Sequence, residues 1–251
     1  MKKRMIKNRK SYSGLLRLGV LSTSFLLMLG NLSCSKDEAD AEVQINETAT
    51  TNAKVSSSTA NKAKLQIGKG GSMKEVATPG NHFKKGVHHN SANFFKKDGK
   101  LVFKANGKLN RSELRYKNGF SQDAKKTFKA SVNVTSKGMG RVSVMQLHND
   151  SNQGPILKLQ YRSDGKGSGT FGVLYRKKAG NKDVYKHLKT GTSGTFKISF
   201  NKRGVVVSGD NNNKISFTIN NNGWKGKYYW KTGAYNQTGG QSRVLVNNIS
   251  W

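Results

Sequence analysis

The chain has 251 residues, with 45 Lys+Arg against 13 Asp+Glu and a formal charge of +32. That excess argues against cationic ligands and for a polyanionic partner: nucleic acid, an anionic membrane surface or an acidic polysaccharide. The single cysteine, Cys34, excludes an intrachain disulfide and a cysteine-built metal site, and 28 glycines beside 2 prolines point to a β-rich, turn-rich domain.

Residues 1–17 carry Lys2, Lys3, Arg4, Lys7, Arg9, Lys10 and Arg17 and no acid; an apolar run follows from Leu18 to Leu32, then Ser33-Cys34-Ser35. This pattern predicts a secretory signal over 1–33, too short for a confident membrane span. The cysteine behind it resembles a bacterial lipobox, although Asn31 and Leu32 stand where that pattern prefers Leu and a small residue. The resemblance implies lipidation of Cys34, a lipid anchor to the membrane, and export to the outer membrane or cell surface. The acidic stretch Ser35–Asp40 is similar to the export tag of surface-displayed lipoproteins. Residues 41–66 are rich in Ala, Thr, Ser, Asn and Lys, so 34–66 is expected to be a flexible linker. The domain is then expected over 67–251, which holds 34 Lys+Arg against 8 Asp+Glu.

Residues 67–100 show no clear pattern, and His88-His89 reads as a solvated pair because adjacent strand residues point apart. From Leu101 short alternating strands succeed one another, separated by turns at Asn106-Gly107, Asp164-Gly165, Ala179–Asn181 and Ser208–Asn211. Phe128, Ala130, Val132 and Val134 form one apolar face; Phe171/Val173/Tyr175, Phe196/Ile198/Phe200 and Ile215/Phe217/Ile219 repeat the pattern. The expected fold is all-β, a β-sandwich or jelly roll of two antiparallel sheets. Asn211–Asn213 reads as a hairpin tip.

Three stretches carry chemistry. Arg111-Ser112-Glu113-Leu114-Arg115, as a strand, puts Arg111, Glu113 and Arg115 on one face, with Glu113 fixing both guanidinium groups over a groove for an anion. Val142–His148 puts Gln146 and His148 opposite Met145 and Leu147, and the next strand sets Lys158, Gln160 and Arg162 opposite Leu157, Leu159 and Tyr161. Tyr229, Lys231, Tyr235 and Gln237 share a face, with Gly233 between them allowing close approach of a ligand or backbone. A tyrosine flanked by cations is expected to have a lowered pKa.

Together these stretches resemble the alginate lyases of polysaccharide lyase family 7. That family carries, in order, Arg-(Ser/Thr)-Glu-(Leu/Val)-Arg, Gln-(Ile/Val)-His and Tyr-Phe-Lys-Ala-Gly-x-Tyr-Asn-Gln. Here they stand as Arg111–Arg115, Gln146-Leu147-His148 and Tyr229–Gln237, with Leu147, Trp230 and Thr232 as the departures. The resemblance covers roughly 100–251, and the Trp-Lys-Leu-Thr-Leu-Pro-like segment of many members is not found. It implies a jelly roll with a concave substrate groove and β-elimination without metal or organic cofactor. Arg111 and Gln146 would neutralise the C5 carboxylate, and His148 would be the base, helping to neutralise when protonated. Tyr235 would be the acid, and also the base when the proton lies on the other sugar face. Arg115, Lys231, Glu113, Lys158, Arg162, Tyr229 and Gln237 would bind or orient substrate. Leu147 lies closer in bulk to the Ile that goes with guluronate-containing blocks. The expected partner is alginate, met by a monomer. A non-catalytic acidic-polysaccharide-binding module and a lyase for another polyuronate are the alternatives. Nucleic acid is disfavoured by the export leader and the lack of any nucleic-acid-binding signature.

Overall fold

The computed structural model describes residues 55–76, 93–138, 140–151, 153–202, 204–220 and 223–251. The chain divides into two compact units, Met1–Thr48 and Ala49–Trp251, and every described residue belongs to the second. The leader, Cys34 and His88-His89 lie outside the described residues.

One short helix, α1 (Ser57–Asn61), is capped by Ser56, whose hydroxyl accepts from the Thr59 amide. Among the described residues fifteen strands follow: β1 Ala63–Gly68, β2 Lys74–Val76, β3 Phe94–Lys97, β4 Lys100–Asn106, β5 Arg111–Tyr116, β6 Lys126–Lys137, β7 Arg141–Asn149 and β8 Leu157–Ser163 come first. Then come β9 Gly169–Tyr175, β10 Val184–Thr190, β11 Ser193–Asn201, β12 Gly204–Ser208, β13 Lys214–Thr218, β14 Tyr228–Asn236 and β15 Gln241–Ser250. They pair into an eight-stranded sheet, β10-β9-β8-β7-β14-β5-β1-β2, and a seven-stranded sheet, β13-β12-β11-β6-β15-β4-β3. Each named pairing is antiparallel, as the alternating sequence requires.

The inner faces bury the apolar half of each alternation. Trp230 of β14 packs on Phe128 of β6 at 5.6 Å and on Phe120 at 5.1 Å, and Phe171 of β9 meets Phe196 of β11 at 4.8 Å. Leu114, Met145, Leu147 and Leu159 are fully buried on the same side. The polar half of the eight-stranded sheet is thereby turned outward in one place, across β5, β14, β7 and β8.

The expected linker ends earlier than 66. Val55, Ala60, Ala63 and Leu65 are buried, β1 pairs with β5 from Ala63↔Tyr116 to Gly68↔Arg111, and the Trp251 indole donates to the Thr59 carbonyl at 3.2 Å. Burying Val55 and Leu65 is worth about 1.5–3 kcal/mol each. A chain begun at residue 67 should therefore melt well below the full chain in a thermal scan; equal midpoints would show that 55–66 adds nothing.

Asn211–Asn213 is a hairpin tip, with both Asn211 and Asn213 donating to the Leu188 carbonyl of β10. Among the described residues no helix is long and apolar enough to cross a membrane.

Candidate active site

Strand register lays the predicted residues out in rows. Lys64 of β1, Arg115 of β5, Lys231 of β14, Gln146 of β7 and Lys158 of β8 are successive cross-strand partners. A second row runs Gly68, Arg111, Tyr235, Ser143 and Gln160. Two register shifts make this possible, one in β7 between Ser143 and Met145 and one in β14 between Thr232 and Tyr235. A bulge lets Val144 and Met145 both face the core, so Arg141 and Ser143 share the groove face with Gln146 and His148.

At the centre lies Glu113, fully buried. One carboxylate oxygen accepts from the Gln146 amide nitrogen; the other lies 3.9 Å from Arg111 and 3.8 Å from Lys231, itself only 3% exposed. An ionised carboxylate only accepts, so it fixes the Gln146 amide with nitrogen inward and oxygen toward His148. That oxygen meets His148 Nε2 at 2.9 Å, which places the ring proton on Nε2 and leaves the Nδ1 lone pair as acceptor. Arg111 lies against Glu113, and Arg115 also reaches Asp150, at 3.5 Å, in the turn behind β7.

The rings are held by cations. The Arg111 guanidinium lies 4.0 Å from the centroid of Tyr235. Tyr229 is covered on its β5 side by Arg115 at 4.1 Å, and on its β7 side by the parallel His148 ring at 5.4 Å. Both faces of Tyr229 are taken, so only its edge and hydroxyl face the groove. Lys158 donates to Gln237 at 2.8 Å, and Arg162 sits farther along β8 with its Nε on Gln160 at 3.2 Å. The sheet therefore gathers every predicted groove residue on one face.

Gly233 approaches the backbone of β5 rather than a ligand. It has φ +142°, and a Cβ there would lie 2.4 Å from the Ser112 carbonyl oxygen. Gln66, fully buried in β1 opposite Glu113, and Asp150 escaped the sequence reading. The only sequence trace of Gln66 is the short alternation Ala63, Leu65, Ile67 around it.

The imidazole of His148 is held well below its ordinary value, first by burial and then by Lys231, Lys158, Arg111 and Arg115. It is neutral at neutral pH, which suits it to accept a proton and removes it as a neutralising cation. Burial pushes the Tyr229 phenol up, outweighing Arg115, contrary to the lowering expected of a tyrosine among cations. Lys158 is lowered, first by burial. Removing a cation that depresses the imidazole should raise it, so Lys158→Met should shift the His148 ring titration to higher pH by proton NMR. An unmoved titration would show that Lys158 does not depress the imidazole. Because folding lowers this imidazole, its neutral form supports the fold above the unfolded histidine range, and that support is lost as pH falls through the folded value.

Among the described residues no group of three or more His, Cys, Asp or Glu is placed to hold a metal ion. The groove presents a neutral imidazole, a phenol and a row of fixed cations: acid–base chemistry on an anionic polymer.

Comparison with known proteins agrees. A family model described as alginate lyase matches residues 40–250. Compared by sequence with curated proteins, the chain matches none. The fold is similar to that of alginate lyase A1-II', a member of polysaccharide lyase family 7, with TM-score 0.62, 21% identity, and coverage of 76% of this chain and 94% of that one. It is also similar to alginate lyase AlyC3 (TM-score 0.59, 22% identity, 77% and 90% covered). The marine alginate lyase AlyA1 from Zobellia galactanivorans follows at TM-score 0.59 and 15% identity, with 76% and 94% covered. With a family model matching residues 40–250, the chain belongs to the alginate lyases, and its jelly-roll fold is like that of a member of polysaccharide lyase family 7.

Proposed function

We propose that this lyase cuts the 1,4-glycosidic bonds of alginate by β-elimination in the groove across β5, β14, β7 and β8. The observation that carries the reading is the hydrogen-bonded chain Glu113–Gln146–His148 beside fixed cations, with burial and those cations holding the imidazole well below its ordinary value. Arg111 and the second amide hydrogen of Gln146 neutralise the C5 carboxylate, so that the C5–H bond weakens. His148, or Tyr235 when the proton lies on the other sugar face, takes that proton. Tyr235 protonates the departing oxygen, the C4–O bond breaks and a C4=C5 double bond forms. No water is consumed. Arg115 and Lys231 hold neighbouring carboxylates, and Lys158, Gln237 and the Tyr229 hydroxyl line the continuation of the groove.

Structures of A1-II' hold a product, GGG, and a substrate, GGMG, while one of AlyC3 holds dimannuronate. For this chain guluronate-containing blocks are the preferred substrate. Leu147, on which that preference rests, is fully buried and faces the core. It acts by setting how Gln146 and His148 sit, not by touching sugar.

Incubating the full chain with guluronate-rich and mannuronate-rich fractions and weighing the products tests the reading. Elimination makes the fragment with each new non-reducing end one water lighter than hydrolysis would, and forms it faster from the guluronate-rich fraction. New non-reducing ends that carry the added water, or a faster mannuronate reaction, would contradict it.

Export as a lipoprotein monomer anchored through Cys34 completes the proposal, supported by the basic leader, the apolar run and the cysteine behind it. Labelled fatty acid should enter the wild-type chain and not Cys34→Ala; label in both would remove the anchor.

A further inference from the structure

Beyond Lys158 the groove face holds a cluster that the reaction centre does not use. Arg162 of β8 is the direct cross-strand partner of Arg141 of β7. Two cations opposite one another on one sheet face repel unless an anion lies between them. Among the described residues neither has a carboxylate within ion-pair distance, whereas Arg111, Arg115 and Arg176 each have one.

Arg162 is nevertheless held in place. Its Nε donates to Gln160 at 3.2 Å, and its guanidinium lies 3.3 Å from the ring centroid of Tyr185 on β10. Tyr185 reaches it by crossing β9 at Gly172, where an added Cβ would meet the tyrosine ring at 2.3 Å. The glycine thus makes room for the ring, and the ring lies against the guanidinium. With Nε engaged, the two terminal nitrogens remain, the fork that matches a carboxylate.

Gln160, which holds Arg162, lies in register with Ser143, and Ser143 with Tyr235. The cluster is therefore two strands from Tyr235, roughly 10 Å away by strand spacing. A sugar other than the reacting one must fill it.

We propose that Arg162, faced by Arg141 and positioned by Tyr185, is a carboxylate subsite for a second uronate residue of the same polymer chain. The inference rests on the polyuronate reading of the groove. It makes Tyr185 a positioning residue, acting through Arg162.

The test compares the full wild-type chain with Arg162→Ala, Tyr185→Ala and Tyr185→Phe on uronate oligomers of increasing length. For oligomers long enough to span both sites, Arg162→Ala and Tyr185→Ala should raise KM about tenfold with kcat unchanged, the worth of one charge-assisted hydrogen bond. The shortest oligomer cleaved should show no change, and Tyr185→Phe, which keeps the ring, should behave as wild type. An equal loss at every length, or none at any, would overturn the subsite. Should the wild-type chain cleave no uronate, the lyase reading fails separately, and calorimetric titration with a uronate hexamer decides the subsite. Weaker binding by Arg162→Ala than by wild type would uphold it; equal binding, or none by either, would overturn it.

Discussion

Tyr235→Phe should degrade alginate about 10²–10⁴ times more slowly than the wild-type chain, the range for removing a general acid, while binding it as tightly. The substitution removes one oxygen and leaves everything else. The ring stays under the Arg111 guanidinium, 4.0 Å from its centroid, and β14 keeps its pairing with β5 from Lys231↔Arg115 to Tyr235↔Arg111. The loss should therefore fall on kcat, with KM and melting temperature unchanged. A rise in KM alone, or full activity, would take the proton-transfer role from Tyr235. His148→Ala should lose activity in the same range but also disturb Tyr229, whose ring is stacked on the imidazole.

Glu113→Ala should have the largest effect on stability, about 3–5 kcal/mol, the cost of removing one partner from a buried ion pair. Glu113 is fully buried, and its loss takes from Arg111 and the nearly buried Lys231 the carboxylate oxygen that both lie near. It also removes the acceptor that orients Gln146 and, through it, the His148 proton. Denaturant unfolding should show the drop, and activity should fall with it even at temperatures where the variant is folded. Glu113→Gln, which keeps the shape, should recover part of the stability but little of the activity. If Glu113→Ala unfolds at the wild-type midpoint, the cluster is not held by this carboxylate.

What the sequence disclosed follows from how cleanly each strand alternates. In β5 the sequence Arg-Ser-Glu-Leu-Arg sorts charge from Ser112 and Leu114 without ambiguity, and β7 does the same around Met145, Gln146, Leu147 and His148. Those two strands with β14 supply the centre of the site, and it was legible. The partners of the charges were not. Asp150 is a turn residue far in sequence from Arg115, and nothing in either local pattern tells that they meet. The bulge beside Val144 has no signature in Arg141–His148 and yet decides that Arg141 and Gln146 share a face. β10 escaped notice because an edge strand carrying Lys186, His187 and Lys189 buries only Leu188, as strands protected from edge pairing do. The start of the domain was misplaced because Ala60 and Ala63 bury as completely as leucines but look like linker.

The measurement that bears most directly on the groove's chemistry is ultraviolet absorbance of the full chain incubated with alginate. Elimination leaves an unsaturated sugar whose conjugated double bond absorbs where the substrate does not. A steady rise that is absent in Tyr235→Phe is the predicted result. Alginate retained on the protein with no rise in absorbance would contradict it, and would make this groove a binding surface.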